Sequence, residues 1–331
     1  MIDLHLHLDG SLSEEDFRYL AKLNNVDLGD DFPNNIHVPN DCPSLAEYLK
    51  RFDLPLKLLQ NEESLKYAIK SLVKRLDEKK YIYAEIRFAP QLHTNQGLSQ
   101  KEVVKIVSDG LLEALKECQY MMDANLILCM MRHASYETNL ETINSIFACK
   151  RYGLIDLAGD ETLHPFSYYK ELCDYMNKLR IPFIAHAGEA TGSDEVMMAI
   201  ESGAKRIGHG VHLSLDPETV SKVLKSDVCF EFCPTSNLQT KSLKSYEDVP
   251  LRKYMELRIP VTINSDNMTV SNCDAISEMK QMIKTFNLSR DEVLYLLATS
   301  IQFARLDGNE RYKLQQKAGE RFNEYYQNLI K

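Results

Sequence analysis

Met1-Ile2-Asp3-Leu4-His5-Leu6-His7-Leu8-Asp9-Gly10 opens the chain with a strict alternation of polar and apolar side chains. On a β-strand, residues i and i+2 face the same side. His5 and His7 then point one way, and Leu4, Leu6 and Leu8 the other. A strand of this kind offers two nitrogen ligands to one metal ion. Taken alone, the pair reads equally well as a buried, hydrogen-bonded pair with no metal. Asp9 continues the histidine face, and Gly10 ends the strand where the chain must turn.

Strand-like runs recur at residues 81–90, 126–133, 154–161, 182–189, 206–211, 227–234 and 260–267. Helical patterns fill the gaps, among them 99–117, 139–152 and 165–179, and a last one at 310–329. Eight short strands alternating with helices are the pattern of a parallel (β/α)8 TIM barrel. Polar and ionisable residues gather at the C-terminal ends of these strands, which is the catalytic face of such barrels. A doubly wound open sheet is the alternative, but no G-x-G-x-x-G turn follows the first strand.

Between the first two strands, Ser13 followed by Asp16 has the look of a helix cap. Helical stretches near 44–59 and 62–79 come next. Residues 11–80 are thus longer than an ordinary crossover and read as a helical, lid-like insertion over the active-site face. No linker or low-complexity stretch divides the chain, so residues 1–331 are expected to form a single barrel domain.

An apolar fraction of 44% supports a substantial core, and a net charge of −9 argues against nucleic acid or an anionic membrane as partner. No apolar run approaches the roughly 20 residues of a membrane span. The N-terminus lacks a basic region followed by an apolar core, so no export signal is expected. Eight scattered cysteines without a C-x-x-C pair read as reduced thiols of a cytoplasmic protein. Met1 stands so close to the first strand that a natural start somewhat further upstream is expected.

Three further strand ends carry chemistry. His186 ends the fifth strand and can serve as a third metal ligand, with Glu189 just beyond Gly188 to reach a bound substrate. His209 lies between Gly208 and Gly210 at the end of the sixth, where glycines permit close approach. Asp266 ends the eighth, which neighbours the first in a closed barrel. Each has a bland reading of its own: a solvated turn, a histidine in a tight turn, an Asx turn. Convergence of all four strand ends on one barrel mouth is not covered by any of these.

With these residues in view, the sequence resembles the adenosine deaminases of the amidohydrolase superfamily. The matching segments are Asp3-Leu-His-Leu-His-Leu-Asp-Gly-Ser11, Asp156-Leu-Ala-Gly-Asp-Glu161, His186-Ala-Gly-Glu189, Gly208-His-Gly210 and Asn264-Ser-Asp-Asn267. They run in family order across nearly the whole chain. The resemblance implies one catalytic Zn2+ per chain on a (β/α)8 barrel, with His5, His7, His186 and Asp266 as ligands. It makes Glu189 the proton donor and His209 the residue beside the attacking water. His7 and Asp9 would face the ribose, the backbone amide of Gly159 a ring nitrogen, and Asn267 the purine N7. The implied reaction is hydrolytic deamination of adenosine and 2′-deoxyadenosine to inosine and ammonia. The implied partner is a small purine nucleoside, with no nucleic acid and no membrane.

One departure stands out: the family usually ends the eighth strand with two adjacent aspartates, and Asn267 replaces the second. Adenine deaminases are similar but typically carry Glu where this chain has Asp9. Other 6-aminopurine nucleosides remain open as substrates, whereas AMP deaminases are much longer chains. A barrel that binds nucleoside without turnover would show loss of Glu189 or of a metal ligand, and neither is lost. The H-x-E and P-C-x-x-C pattern of the base-flipping deaminases is absent.

Overall fold

The computed structural model describes residues 1–39, 42–43, 45–120, 122–151 and 153–331. Strands β1 (Ile2–His7), β2 (Tyr83–Phe88), β3 (Asp123–Met131) and β4 (Leu154–Ala158) form its first half. Strands β5 (Phe183–Ala187), β6 (Arg206–His209), β7 (Cys229–Phe232) and β8 (Val261–Ile263) form the second. All neighbours pair in parallel and in chain order. An isolated parallel bridge joins Leu6 to Asp266. There the His7 amide donates to the Asp266 carbonyl at 2.7 Å and the Asp266 amide to the His5 carbonyl at 2.8 Å. Through that bridge the sheet closes on itself as the expected (β/α)8 barrel.

Between β1 and β2 run α1 (Glu14–Asn24), α2 (Leu45–Leu49), α3 (Asp53–Leu58) and α4 (Glu62–Glu78). The next gaps hold α5 (Gln100–Glu117), α6 (Tyr136–Ser145), α7 (Lys170–Leu179), α8 (Ser193–Glu201) and α9 (Pro217–Lys225). Two short helices, α10 (Pro234–Gln239) and α11 (Leu251–Glu256), precede β8. The chain then runs through α12 (Ala275–Phe286), α13 (Arg290–Phe303) and α14 (Gly308–Ile330). Among the described residues, no helix is long and apolar enough to cross a membrane.

Local chemistry accounts for these elements. Leu4 and Leu6 of β1 are fully buried, as is Leu8 just beyond the strand. The pairing of β1 with β2 shifts register between Asp3 and Leu6. At the start of α1 the Asp16 amide donates to Ser13 Oγ at 3.1 Å, and the Ser13 amide donates back to the Asp16 carboxylate at 2.7 Å. This reciprocal cap satisfies two donors that the helix leaves open. Ser99 and Glu102 repeat it at α5.

Several boundaries differ from expectation: β8 ends at Ile263, so Asp266 lies in the turn beyond it, and a 3-10 turn at Phe166–Tyr169 precedes α7; three other differences have a local cause. The helix expected over 44–59 is broken into α2, a 3-10 turn at Lys50–Phe52, and α3. Pro55 explains the restart: with no N–H it fits the first turn of α3 but not the interior of one long helix. The helix expected over 139–152 begins earlier, at Tyr136, where Ser135 accepts from the Thr138 amide, and ends at Ser145. Ser44 and Tyr152, limits of those two expected helices, lie outside the described residues. Finally, β1 ends at His7: Leu8 adopts helical angles (φ −63°, ψ −51°), and Asp9 sits in a 3-10 turn, Asp9–Ser11. Asp9 therefore reaches the barrel mouth from a turn, not by continuing the strand's alternation.

Candidate active site

At the C-terminal mouth of the barrel, four imidazoles meet. The His5 ring lies 4.7 Å from His186, 5.1 Å from His209 and 5.5 Å from His7, centre to centre. Asp266 closes the group, its Oδ1 3.5 Å from His5 Nε2 and 3.3 Å from His7 Nε2. His5, His7 and Asp266 hold possible ligand atoms within 4.8 Å of one another, and so do His5, His186 and His209. His5 Nε2 is buried with no hydrogen-bond partner, the Asp266 carboxylate standing 3.5 Å away. An orphaned ring nitrogen among further imidazoles and a carboxylate fits a borderline-soft metal ion.

The backbone makes this approach possible. A Cβ on Gly208 would stand 3.0 Å from His5 Cε1 and 3.3 Å from the His186 Cα. Glycine there leaves room for the rings to converge. His209 and Asp266 both have left-handed angles, with φ of 61° and 60°. Such conformations cost about 1–3 kcal/mol each and cluster at functional sites. Here one ends β6, the other stands in the turn after β8, and both side chains enter the mouth.

Beneath the rings lies an ion network. His5 Nδ1 is 2.8 Å from Glu231 Oε2, and His186 Nδ1 is 3.0 Å from Asp156 Oδ2. A carboxylate on Nδ1 fixes the tautomer and leaves Nε2 free to ligate. Arg87 joins the two carboxylates, at 2.7 Å to Asp156 and 2.8 Å to Glu231, and also donates to the Leu4 carbonyl. Arg206 adds a contact to Glu231 at 2.6 Å and one to Glu85 at 2.5 Å. Burial opposes the charge on Glu231, yet the Arg87 and Arg206 guanidiniums hold its carboxyl well below the usual range. For Asp156 burial is likewise outweighed, by His186 and Arg87.

Glu189 and His209 face each other across the mouth, with Oε2 3.7 Å from Nε2. The Thr240 hydroxyl donates to Glu189 Oε1 at 3.0 Å. Burial, reinforced by the charges of Asp266 and Glu161, pushes the Glu189 carboxyl up to about 8. At neutral pH it is a carboxylic acid with a proton to give. Burial lowers His209 to about 3, so its ring is neutral. The Asn237 amide donates to His209 Nδ1 at 3.1 Å, which leaves the ring proton on Nε2. The turn that carries Glu189 is gripped by Glu161, which accepts from the amides of Gly188 at 2.9 Å, Thr191 at 3.0 Å, and Ala190.

Asp9, Gly159, Glu189, His209, Asp266 and Asn267 all line one cavity of about 390 Å³. That falls within the range of about 300–1,000 Å³ common for small-molecule sites. None of the described residues lining it is a lysine or an arginine. Of the metal-ligating, catalytic and substrate-binding residues expected from sequence, His5 alone is not among those lining it.

Sequence reasoning missed the support beneath the site: Arg87, Asp156 and Glu231, with Glu161, Thr240 and Asn237 around the mouth. One signal was present. Arg87 interrupts Tyr83–Phe88 and Glu231 interrupts Cys229–Phe232, both otherwise apolar apart from Glu85. A charge inside a barrel strand has to face partners in the interior.

The family model for adenosine deaminase matches residues 1–320. A Haemophilus ducreyi adenosine deaminase is 42% identical over 328 residues, covering 95% of this chain and 94% of that protein. One from Clostridium perfringens is 38% identical over 322 residues, covering 95% and 96%. Among solved structures, an adenine deaminase from Arthrobacter aurescens superposes with a TM-score of 0.87 at 23% identity, covering 96% of this chain and 98% of that one. An amidohydrolase from Burkholderia ambifaria, solved with bound Zn, does so with 0.88 at 17% identity, covering 99% and 92%. The solved structures speak for the fold. The family model and the curated relatives span almost the whole sequence, and on that ground the chain belongs to the adenosine deaminase family.

Proposed function

We propose that this protein hydrolyses adenosine and 2′-deoxyadenosine to the corresponding 6-oxo nucleosides and ammonia. In this reading one Zn2+ per chain is held by His5, His7, His186 and Asp266. Residues 1–331 act as one hydrolase domain, with residues 11–80 as a lid-like insertion beside the mouth. The observation that carries the proposal is the meeting of a largely buried carboxyl, Glu189, with the His209 and His5 imidazoles and the Asp266 carboxylate at one barrel mouth. Relatives named adenosine deaminase at 42% and 38% identity support the same substrate.

When bound, Zn2+ supplies a Lewis acid that lowers the pKa of water from 15.7 to about 7. The chain's own groups do the rest. Glu189 gives its proton to ring N1, which makes C6 electrophilic. Asp266 accepts a proton from the attacking water as the C6–O bond forms, and His209, donating from Nε2, orients that water. The accepted proton passes to the 6-amino nitrogen, the C6–N bond breaks as ammonia leaves, and the C6 hydroxyl gives its remaining proton to the Glu189 carboxylate, which forms the 6-oxo group and restores the acid. One water enters and one ammonia departs, with no change of oxidation state. His7 and Asp9 face the ribose, the Gly159 amide faces a ring nitrogen, and Asn267 faces N7.

The cavity wall favours a nucleoside over a nucleotide. With acidic side chains and no lysine or arginine among its described residues, it offers a phosphate no guanidinium or ammonium to pair with. Ammonia release from adenosine, 2′-deoxyadenosine, adenine, AMP and 5′-substituted adenosines, compared side by side, tests the proposal. Adenosine and 2′-deoxyadenosine should react far better than adenine or AMP. Preference for the free base or the nucleotide would overturn it.

A further inference from the structure

Asn267 does not stand free in the cavity. Its Nδ2 donates to the hydroxyl of Tyr48 at 2.9 Å, and that hydroxyl lies 2.8 Å from Ser271 Oγ. An amide nitrogen can only donate, so the Tyr48 oxygen accepts from Asn267. Between Tyr48 and Ser271 either hydroxyl can be the donor. Three buried side chains, Asn267, Tyr48 and Ser271, are thus linked in a row, and Asn267 also lines the cavity.

The opposite side of the amide is fixed by space. Asn267 Oδ1 is buried with no partner and packs directly over Gly10. A Cβ at position 10 would come 2.0 Å from Oδ1 and 2.6 Å from Cγ. Gly10 thus leaves room for this side chain, and Tyr48 sets which end of the amide points where.

Tyr48 belongs to α2, in the helical segment between β1 and β2, while Asn267 and Ser271 belong to the turn after β8. The two regions meet in a small apolar cluster of Val38, Cys42, Tyr48 and Val270, with Phe52 against it. Backbone contacts join them as well, the Val38 amide donating to the Val270 carbonyl at 2.8 Å. The hydroxyl is therefore not what holds the segment down. Of its partners, Asn267 lines the cavity.

We infer that Tyr48 is a positioning residue for purine recognition: its hydroxyl orients the Asn267 amide so that an N–H faces N7. The inference rests on the reading of Asn267 as the N7 contact, and the test separates the two. Inosine and 7-deazainosine differ only in the N7 acceptor, and both are unreactive, so their inhibition constants against adenosine report binding alone. The wild type should favour inosine by roughly three- to tenfold, the worth of one hydrogen bond. Asn267→Ala should bring the ratio near one, and Tyr48→Phe should do the same although its ring and packing remain. The double variant should resemble either single one, because Tyr48 acts through Asn267.

If Asn267→Ala keeps the preference for inosine, the N7 reading itself is wrong. If Asn267→Ala loses it and a folded Tyr48→Phe keeps it, the role given to Tyr48 is overturned. Should Tyr48→Phe fail to fold, Ser271→Ala removes the hydroxyl's other hydrogen-bond partner, and an unchanged preference there overturns the inference equally.

Discussion

Glu189 is the residue whose surroundings say most about its task. A carboxyl pushed up to about 8 by burial and by Asp266 is protonated at neutral pH. Its activity as a donor must fall as the pH rises through that value, because the carboxylate has no proton to transfer. A bound cation favours the carboxylate, so the alkaline limb of kcat should fall at or below about 8. Glu189→Gln should keep the metal, lose about 10²–10⁴-fold in kcat, and lose that limb. A variant within a few-fold of wild type would mean that the proton comes from elsewhere. Residues of this kind were legible in the sequence because their neighbours in the chain mark them: a glycine before Glu189, glycines around His209, a run of turn formers around Asp266. Glu161 was not, although it lies in a quoted segment, because its partners at Gly188 to Thr191 are brought to it only by the fold.

At the scale of elements, the strands were readable and their interior was not. Alternation and apolar runs located all eight strands, since each is short and buried on both faces. The helical segment before β2 was harder, because its breaks depend on Pro55 and on one 3-10 turn, not on periodicity. Hardest was the ion network inside the barrel, whose members lie on strands far apart in sequence. Arg87 on β2 serves Asp156 on β4 and Glu231 on β7, and through them the rings of His186 and His5. Arg87→Met should therefore leave two buried carboxylates short of a partner, at a cost of about 3–5 kcal/mol. Freed rings should also weaken metal affinity by about 10–100-fold. Denaturant unfolding and metal titration check the two effects separately. A variant as stable as wild type would show that Arg206 alone suffices to neutralise the interior.

The whole molecule brings the proposed metal ligands from β1, from β5 and from the turn after β8, so the site exists only when the barrel is closed. An ion bound there favours the folded state alone, and its stabilisation follows mass action. At a free concentration a thousand times its dissociation constant, that amounts to about 4.1 kcal/mol. Spread over 331 residues, with roughly 2.1 cal/mol/K of unfolding entropy each, this corresponds to a rise in Tm of about 6 °C. Thermal unfolding of protein stripped with a chelator, then reloaded with Zn2+, should show a shift of this size and the return of activity. His5→Ala removes the imidazole at the centre of the group and leaves Glu231 without its histidine partner, so its starting Tm should be lower. The telling measurement is the difference with and without Zn2+, which should vanish in that variant. A wild-type protein whose Tm and activity are indifferent to thorough chelation would sink the metal site, whatever the rings suggest.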